Sequence, residues 1–357
     1  MAPSYNRRSM GIKVLHYLCD RLNSKGNLAF LLPYDQTDPL LVTAPNYLAP
    51  RLDREIFEAH ISSGLTPIVV YPEIVAGNPL DASLVARYVL NFPGLIGGDT
   101  SYAESELVVG FSKELSDERF GGLTLTLAPW DLEHFDLPDT PVRREGSCFY
   151  SLKHRFLGGK LLYDTASSTE ITQDMEPIEI AKLFQRSEVF YCYENTALVG
   201  EALLCGCPVI LLSDGPPLTI IGQDTTKGMG IAQGNSREAL DYVKSTVLQG
   251  RENLLNSISL GLNQLDHFVR VSQEWANAQF DTRPPKVEIF GVSNDTRAVV
   301  RSIHQLGIPE LLYSHLPRSV QLASDSEYIL PVETEGIKRL ITGRLVQYNT
   351  TVFIPYK

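Results

Sequence analysis

The sequence contains few cysteines, and none of them forms a metal-binding pair. Of 357 residues only five are cysteine, and the closest two, Cys205 and Cys207, have one residue between them and no second pair nearby. Zinc knuckles and disulfide frameworks need paired cysteines at regular spacing, so both are excluded. Reduced thiols that pack as small hydrophobes suit a reducing compartment, and we therefore expect a cytoplasmic protein.

Long hydrophobic runs are also missing. The longest apolar stretch, residues 197–212, includes Glu201 and Pro208 and is too short for a membrane span. The first eight residues lack the apolar core of a signal peptide. We therefore expect a soluble chain, and any contact with a membrane is expected to be peripheral.

Positive charge is scarce relative to negative charge. The sequence has 31 lysines and arginines against 42 aspartates and glutamates, which gives a formal net charge of −11. Such a surface repels a phosphate backbone, so we expect no nucleic-acid partner. A local basic pocket for one diphosphate is compatible with this total.

Common metal-binding patterns are absent. No Asp-x-Asp sequence occurs, and the seven histidines form no His-x-x-x-His pair. Because such patterns bring two ligands to one ion, we expect neither a metal site nor a bound cofactor.

Short apolar runs alternate with amphipathic segments along most of the chain. This pattern is typical of buried parallel strands separated by helices, and it predicts an α/β fold. Residues 130–146, which contain prolines and several acids but no periodicity, predict a linker between two α/β halves. Helices are predicted at residues 12–22, 54–63, 177–185, 196–204, 236–248 and 252–280. Strands of the two halves are predicted at residues 28–32, 40–42, 67–71, 107–111, 123–127, 148–152, 160–163, 189–193 and 208–212.

A third segment, residues 284–357, predicts a small appended α/β domain whose role the sequence does not indicate. Its strands are predicted at 287–291, near Leu311, near Ile329 and at 351–354, and its helices at 296–306 and 336–344. Residues 291–295 resemble the opening of a dinucleotide-binding unit. The Gly-x-Gly-x-x-Gly fingerprint is missing there, which argues against dinucleotide binding.

Residues 187–210 are the most informative stretch, because they predict a strand, a polar turn, a helix, a glycine turn and a second strand. The turn Glu194-Asn195-Thr196 lies at the carboxyl end of a strand and opens a helix, where free amides favour an anion. Glu201 follows Glu194 by seven residues, about two helical turns, so both carboxylates share nearly one face if the helix reaches back to Glu194. Carboxylates there can accept hydrogen bonds from ribose or sugar hydroxyls.

This stretch resembles the donor-binding signature of GT-B-fold glycosyltransferases, in the retaining families with a Glu-x7-Glu motif followed by a Gly-x-Pro-Val turn. The resemblance covers roughly residues 1–280. It implies two Rossmann-like domains that face a cleft, with an acceptor domain at 1–140 and a nucleotide-sugar donor domain at 141–283. The segment 284–357 lies outside it.

The resemblance assigns Glu194 to the donor sugar and Glu201 to the ribose. Six residues separate the two here instead of seven, whereas Gly206-Cys207-Pro208-Val209 follows Glu201 in the expected place. The altered interval leaves retaining and inverting stereochemistry both open.

A diphosphate also needs cations. Lys153 and Arg155 close the first predicted strand of the second half, and Lys160 follows two glycines. GT-B enzymes place a similar basic pair near the start of this domain, where it holds the donor phosphates and stabilises the charge of the leaving group. With no Asp-x-Asp for a divalent ion, we expect metal-independent catalysis by protein cations, Arg155 among them.

The first half is expected to bind the acceptor. The loop at residues 71–79 follows an apolar strand, and polar loops at strand ends face clefts in such folds. Glu73 in this loop is a candidate acceptor-site carboxylate, and the base if the enzyme inverts. Residues 9–12 resemble the glycine-containing loop that leads into the first helix of GT-B enzymes.

The expected function is transfer of a sugar from a nucleoside diphosphate donor to a saccharide or lipid-linked acceptor, in the synthesis of cell-surface polysaccharides. Three alternatives stay open. The first is a non-hydrolysing nucleotide-sugar epimerase, which shares the fold. The second is a redox enzyme that uses the last segment for a dinucleotide, and the third is a non-catalytic nucleotide-binding scaffold.

Overall fold

The computed structural model describes residues 1–33, 42–63, 65–162, 165 and 167–279, with the backbone of two further strands at 287–290 and 310–313. The predicted helices at 296–306 and 336–344, and the predicted strands near Ile329 and at 351–354, lie outside the described residues. So do residues 40 and 41 of the strand predicted at 40–42.

The described residues form an α/β structure with parallel sheets of three and five strands. The helices are α1 (Met10–Ser24), α2 (Arg54–Ser62), α3 (Leu152–Phe156), α4 (Pro177–Arg186), α5 (Leu198–Leu204), α6 (Gln223–Thr226) and α7 (Arg237–Gln279). The strands are β1 (Val69–Pro72), β2 (Val85–Val89), β3 (Leu107–Gly110), β4 (Ser147–Tyr150), β5 (Thr169–Glu170), β6 (Val189–Cys192), β7 (Val209–Leu211), β8 (Ile231–Gln233), β9 (Val287–Phe290) and β10 (Glu310–Tyr313).

The chain divides into two units. The first comprises residues Met1–Arg51, Val70–Pro79 and Ala86–Val269, so it takes residues from both predicted halves. The second comprises Leu52–Val69, Leu80–Val85 and Arg270–Lys357, and within it β9 pairs in parallel with β10.

The five-stranded sheet has the order β5-β4-β6-β7-β8, and every neighbouring pair is parallel. Successive side chains of a strand point to opposite faces. Accordingly, Phe190 and Cys192 of β6 pack in one cluster with Phe184 of α4, while Tyr191 packs in another with Val243 of α7. Burial on both faces explains why β6 is apolar throughout.

Local sequence determines where α4 begins. Pro177 occupies the first turn, and the Glu176 and Glu179 side chains form a capping box with the backbone at that end. Ser9 is the N-cap of α1, because its hydroxyl accepts a hydrogen bond from the Ile12 amide at 3.4 Å.

Three strand predictions are wrong, and a fourth strand is shorter than predicted. The strand predicted at 148–152 is present as β4 but ends at Tyr150 and is followed by α3, whereas residues 160–162 form no strand. Within 28–32 and 123–127 the pairing is limited to single bridges, Leu31 to Arg51 and Thr124 to Gly110. Residues 123–127 are largely buried beside other elements, whereas Leu28 is 70% exposed and only Leu31 of its run is buried. A strand needs a partner along its whole length, and neither run has one.

Helix α7 is one helix of 43 residues, where the sequence predicts two. Gly250 lies between the two predicted helices, but it does not end the first. A Cβ at this position would lie 2.3 Å from the carbonyl oxygen of Met229. The glycine therefore permits close packing of the helix on a neighbouring loop.

Candidate active site

The order of the five-stranded sheet defines where a ligand is expected. The chain leaves β4 for β5 on one side and then crosses to β6 on the other side of β4. In open α/β sheets, ligands bind in the crevice at the carboxyl ends of the strands where the direction reverses. Here that point lies after Tyr150 of β4 and after Cys192 of β6.

Glu194 lies at this switch point, and its carboxylate is held by α3. Its Oε2 accepts the amide of Lys153 at 2.6 Å and that of His154 at 3.0 Å. The side chain therefore caps α3, which precedes it by some forty residues, and not the helix that follows it. Within the described residues Glu194 lines neither of the two cavities below.

Two buried polar atoms at the switch point have no hydrogen-bond partner among the described residues. They are Oε1 of Glu194 and Oγ of Ser151, and both residues are almost fully buried. The pKa of Tyr150, at the end of β4, is raised to about 12, first by burial and then by the nearby charge of Glu194.

A cavity of about 440 Å³, called here the smaller cavity, opens at the carboxyl ends of β4 and β6. Its wall comes from α1, from Glu73 after β1, from Leu90 and Asn91 after β2, and from residues near the five-stranded sheet such as Tyr150 and Asn195. The polar residues that line it are Arg8, Ser9, Glu73, Asn91, Thr126, Lys153, Gln173, Asn195, Thr196, Gln223, Thr225, Thr226 and Ser257.

A cavity of about 720 Å³, called here the larger cavity, adjoins the smaller one. Its charged residues are Arg7, Arg8, Lys13, Asp131, Glu133, His134, Glu176 and Glu201, and its aromatic residues are Tyr5, Tyr47, Trp130, Phe135 and Tyr150. The residues common to both cavities are Arg8, Met10, Trp130, Tyr150, Gln173, Thr196 and Ala197. The start of α5 therefore lies where the two cavities meet.

Glu201 lines the larger cavity and pairs with Lys13 of α1. Lys13 Nζ lies 3.8 Å from Glu201 Oε1. Burial raises the pKa of Glu201, and the positive charge of Lys13 opposes that shift. Sequence reasoning missed Lys13. The signal that could have indicated it is a lysine that lies between the apolar positions of an amphipathic helix. Lys13 is buried together with Leu15 and Leu18 of α1.

Glu73 lines the smaller cavity at the end of β1. The residue is only 4% exposed, and its Oε2 accepts the Leu90 amide at 2.9 Å. Burial raises its pKa, while backbone hydrogen bonds, including those of Leu90 and Asn91, lower it. A buried carboxylate that lines a cavity with a raised pKa is equipped to accept a proton.

The three predicted cations have different surroundings. Lys153 lines the smaller cavity together with Asn195 and Thr196. Arg155 forms an ion pair with Glu170, and the Lys160 backbone amide donates to Asp214 at 3.0 Å. Neither Arg155 nor Lys160 lines either of the two cavities described here, so of the three cations Lys153 is the one that lies beside the predicted turn.

Asn195 lines the smaller cavity, Thr196 lines both cavities, and both residues stabilise the turn before α5. Asn195 Oδ1 accepts the Ile221 amide at 3.3 Å, and Thr196 Oγ1 accepts the Leu198 amide at 3.4 Å. The Asn195 amide group and the Thr196 hydroxyl proton therefore have no protein acceptor among the described residues. Both donors are available to a ligand.

Arg8 is a second residue that sequence reasoning missed, although it directly precedes Ser9, which caps α1. The glycine-containing loop predicted at 9–12 is wrong, because Met10, Gly11 and Ile12 form the first turn of that helix. Its side chain lines both cavities and is 48% exposed, and it lies 3.7 Å from Glu176. Asp131 and His134 were also missed. His134 Nδ1 lies 2.9 Å from Asp131 Oδ2, and both line the larger cavity.

The described residues contain no group of three or more histidine, cysteine or acidic side chains that could hold a metal ion. Among the helices of those same residues, none is both long and apolar enough to cross a membrane. No family model matches the chain, and a search of curated proteins found no matching sequence.

Proposed function

We propose that this chain is a metal-independent glycosyltransferase that binds a nucleoside diphosphate sugar across the two adjoining cavities. The observation that carries the proposal is their junction at Thr196 and Ala197, at the switch point of the sheet, with Glu201 on one side and Lys153 on the other. Two cavities that meet at one polar turn suit a ligand with two parts, a nucleoside and a sugar, that are joined by a diphosphate.

The larger cavity suits the nucleoside. Aromatic side chains such as Trp130 and Tyr150 can stack on a planar base, and Glu201 can accept hydrogen bonds from ribose hydroxyls. The Glu201–Lys13 pair supplies a donor beside that acceptor. In this arrangement the ribose lies next to the start of α5.

The diphosphate then lies at the junction, within reach of Arg8 and Lys153. Arg8 lines both cavities, and Lys153 lines the smaller one. Charge develops on the bridging oxygen when the nucleoside diphosphate leaves, and cations placed there stabilise that charge most in the transition state. The Thr196 hydroxyl and the Asn195 amide add hydrogen-bond donors.

The acceptor hydroxyl enters the smaller cavity, where Glu73 takes its proton. The hydroxyl oxygen bonds to the anomeric carbon, the bond from that carbon to the diphosphate breaks, and the proton passes to Glu73. Because the Glu194 carboxylate caps α3, Glu73 is the carboxylate that lines this cavity. A direct displacement of this kind inverts the anomeric centre. The proposed setting is the cytoplasmic synthesis of cell-surface polysaccharide.

The test is a thermal-shift panel of UDP, GDP, dTDP and NAD against the wild type and Glu201→Ala. We expect one nucleoside diphosphate to raise the midpoint, and the variant to bind it more weakly by about 1–3 kcal/mol, the value of a lost hydrogen bond to a charged group. Glu188→Ala is the matched control, because Glu188 pairs with Lys244 at the surface.

Other outcomes would favour the alternatives. A shift with NAD alone would favour a redox enzyme, and binding of a nucleotide sugar without release of its sugar to any acceptor would favour a scaffold. Epimerisation of the donor without an acceptor would favour the epimerase. For an active transferase, NMR of the product gives the anomeric configuration and tests the direct displacement.

A further inference from the structure

Two large apolar side chains at the end of α3, Phe156 and the next residue Leu157, are exposed side by side. Phe156 is 89% exposed and Leu157 is 77% exposed, which are the highest values for large hydrophobic residues in the described part of the chain. Single exposed apolar residues need no explanation, but two adjacent ones at the end of a short helix are a candidate interaction surface.

A second exposed apolar pair lies on the loop after β2. Leu95 is 60% exposed and Ile96 is 59% exposed. Ile96 lines the smaller cavity, and so does Lys153 of α3. The two apolar pairs therefore belong to segments at the rim of the same cavity, and we call these four residues the apolar rim.

Positive charge accompanies the apolar rim. Residues 146–163 contain Lys153, Arg155 and Lys160 and no acidic residue, in a chain whose net charge is −11. Three acids contact this segment: Glu170 pairs with Arg155, Asp214 accepts the Lys160 amide, and Glu194 accepts the Lys153 and His154 amides from the buried side. The Lys153 and Lys160 ammonium groups have no carboxylate partner among the described residues.

We propose that the apolar rim inserts into the surface of an anionic lipid bilayer, with Lys153, Arg155 and Lys160 against the headgroups. Apolar side chains bracketed by cations suit the boundary between acyl chains and anionic headgroups, whereas an apolar protein partner would not require the cations. The docking surface stands independently of the proposed transferase. Its position around the smaller cavity adds one step that rests on the proposed function: the acceptor is carried by a lipid.

The test is flotation of the full chain with vesicles of phosphatidylcholine, with or without about a quarter phosphatidylglycerol. We expect the wild type to bind the anionic vesicles, and the double variant Phe156→Ser, Leu157→Ser to lose binding by roughly tenfold or more. The matched control is Leu248→Ser, Leu260→Ser on α7, whose side chains are 62% and 53% exposed and line neither cavity. The control should bind as the wild type does.

Charge is tested by Arg155→Gln, Lys160→Gln, which should weaken binding to anionic vesicles and leave the thermal midpoint unchanged. Wild-type protein that ignores anionic vesicles, or a Phe156/Leu157 double variant that binds like the wild type, overturns the docking surface. A wild-type dimer that the same double variant converts to monomer, without vesicle binding, would assign the patch to a second copy and overturn it too. None of these assays uses a nucleotide sugar, so a negative result would overturn the docking surface without bearing on the transferase proposal.

Discussion

Lys13 of α1 and Glu201 of α5 form an ion pair, with Nζ 3.8 Å from Oε1, although 188 positions separate them in the chain. The two side chains are 10% and 11% exposed. Burial of either charge alone would be costly, so each stabilises the charged form of the other. The pair joins the first helix to the helix that begins at the switch point.

Lys13→Met should destabilise the protein in a pH-dependent way. At about pH 8 the change leaves Glu201 as a buried carboxylate without its cation, which costs about 3–5 kcal/mol. The pKa of Glu201 is already raised, and loss of the lysine raises it further, so the folded state takes up a proton that the unfolded state lacks. The loss in the free energy of unfolding is therefore largest above the pKa that Glu201 has in the folded variant, and it becomes smaller as the pH falls towards the ordinary carboxyl range. Urea unfolding at several pH values measures it.

The control for this variant is Lys244→Met. Lys244 pairs with Glu188 at 3.0 Å, but both side chains are about half exposed, so its loss should cost at most about 1 kcal/mol at any pH. A pH-independent deficit in Lys13→Met, equal to that of the control, would contradict the role of the buried pair.

Glu194→Ala should destabilise α3. The carboxylate accepts two backbone amides of α3, and hydrogen bonds to a charged acceptor are each worth about 1.5–3 kcal/mol. We expect a loss of about 2–4 kcal/mol in urea unfolding, with faster hydrogen exchange at residues 152–156. Glu194→Gln keeps an acceptor oxygen and should lose less.

The same pair of variants separates capping from catalysis. If Glu194 acts only as a cap, Glu194→Gln retains sugar transfer in proportion to its stability. If Glu194→Gln folds like the wild type and is inactive, the role that sequence resemblance assigns to Glu194 is supported instead.

Sequence patterns were sufficient for elements whose signals are local. The predicted strand 189–193 and helix 177–185 agree with β6 and α4 to within one residue at each end, because continuous apolar burial and the Glu176–Pro177 start are encoded in adjacent residues. The glycine turn before β7 was found for the same reason: Gly206 has φ +68°, which favours glycine.

Elements whose signals are tertiary were missed. The start of α3 depends on Glu194, which no pattern within residues 148–156 contains. β2 was missed because Arg87 interrupts its apolar run, and only the folded chain supplies the carbonyls and the carboxylate that satisfy a buried guanidinium. Lys13 was missed because its partner lies in α5.

Arg87→Met should be among the most destabilising changes in the first sheet. Arg87 is 1% exposed, donates to the carbonyl of Val75 at 2.6 Å and to that of Gly77 at 2.5 Å, and pairs with Glu106 at 2.8 Å. Removal leaves a buried carboxylate unpaired and frees the loop that holds Glu73. We expect a loss of about 3–5 kcal/mol in urea unfolding.

A double-mutant cycle checks the origin of that loss. Adding Glu106→Gln to Arg87→Met should recover part of the stability, because the unpaired charge is then removed as well. If the two losses are strictly additive, the ion pair with Glu106 does not contribute, and the stability that Arg87 provides comes from its hydrogen bonds to the loop carbonyls.

Glu73 lies where the loop before β2 and the loop after it meet. Its side chain accepts the Leu90 amide, and a Cβ at Gly98 would lie 1.9 Å from the Glu73 carbonyl oxygen. Gly98 also has φ +75°, so this close approach requires glycine. The carboxylate is therefore fixed in position at the cavity wall.

Glu73→Gln should abolish sugar transfer while sparing donor binding. The amide keeps an acceptor for Leu90 but cannot take a proton, so the transfer rate should fall about 10²–10⁴-fold while the thermal shift with the nucleotide is unchanged. Burial raises the pKa of Glu73, so wild-type activity should begin to fall at a pH above the ordinary carboxyl range as Glu73 becomes protonated. The variant has no carboxylate at this position and should not show this decrease. Glu133→Gln is the control, since Glu133 is exposed and lines only the larger cavity. Retained transfer in Glu73→Gln, or the same loss in the control, would exclude Glu73 as the base.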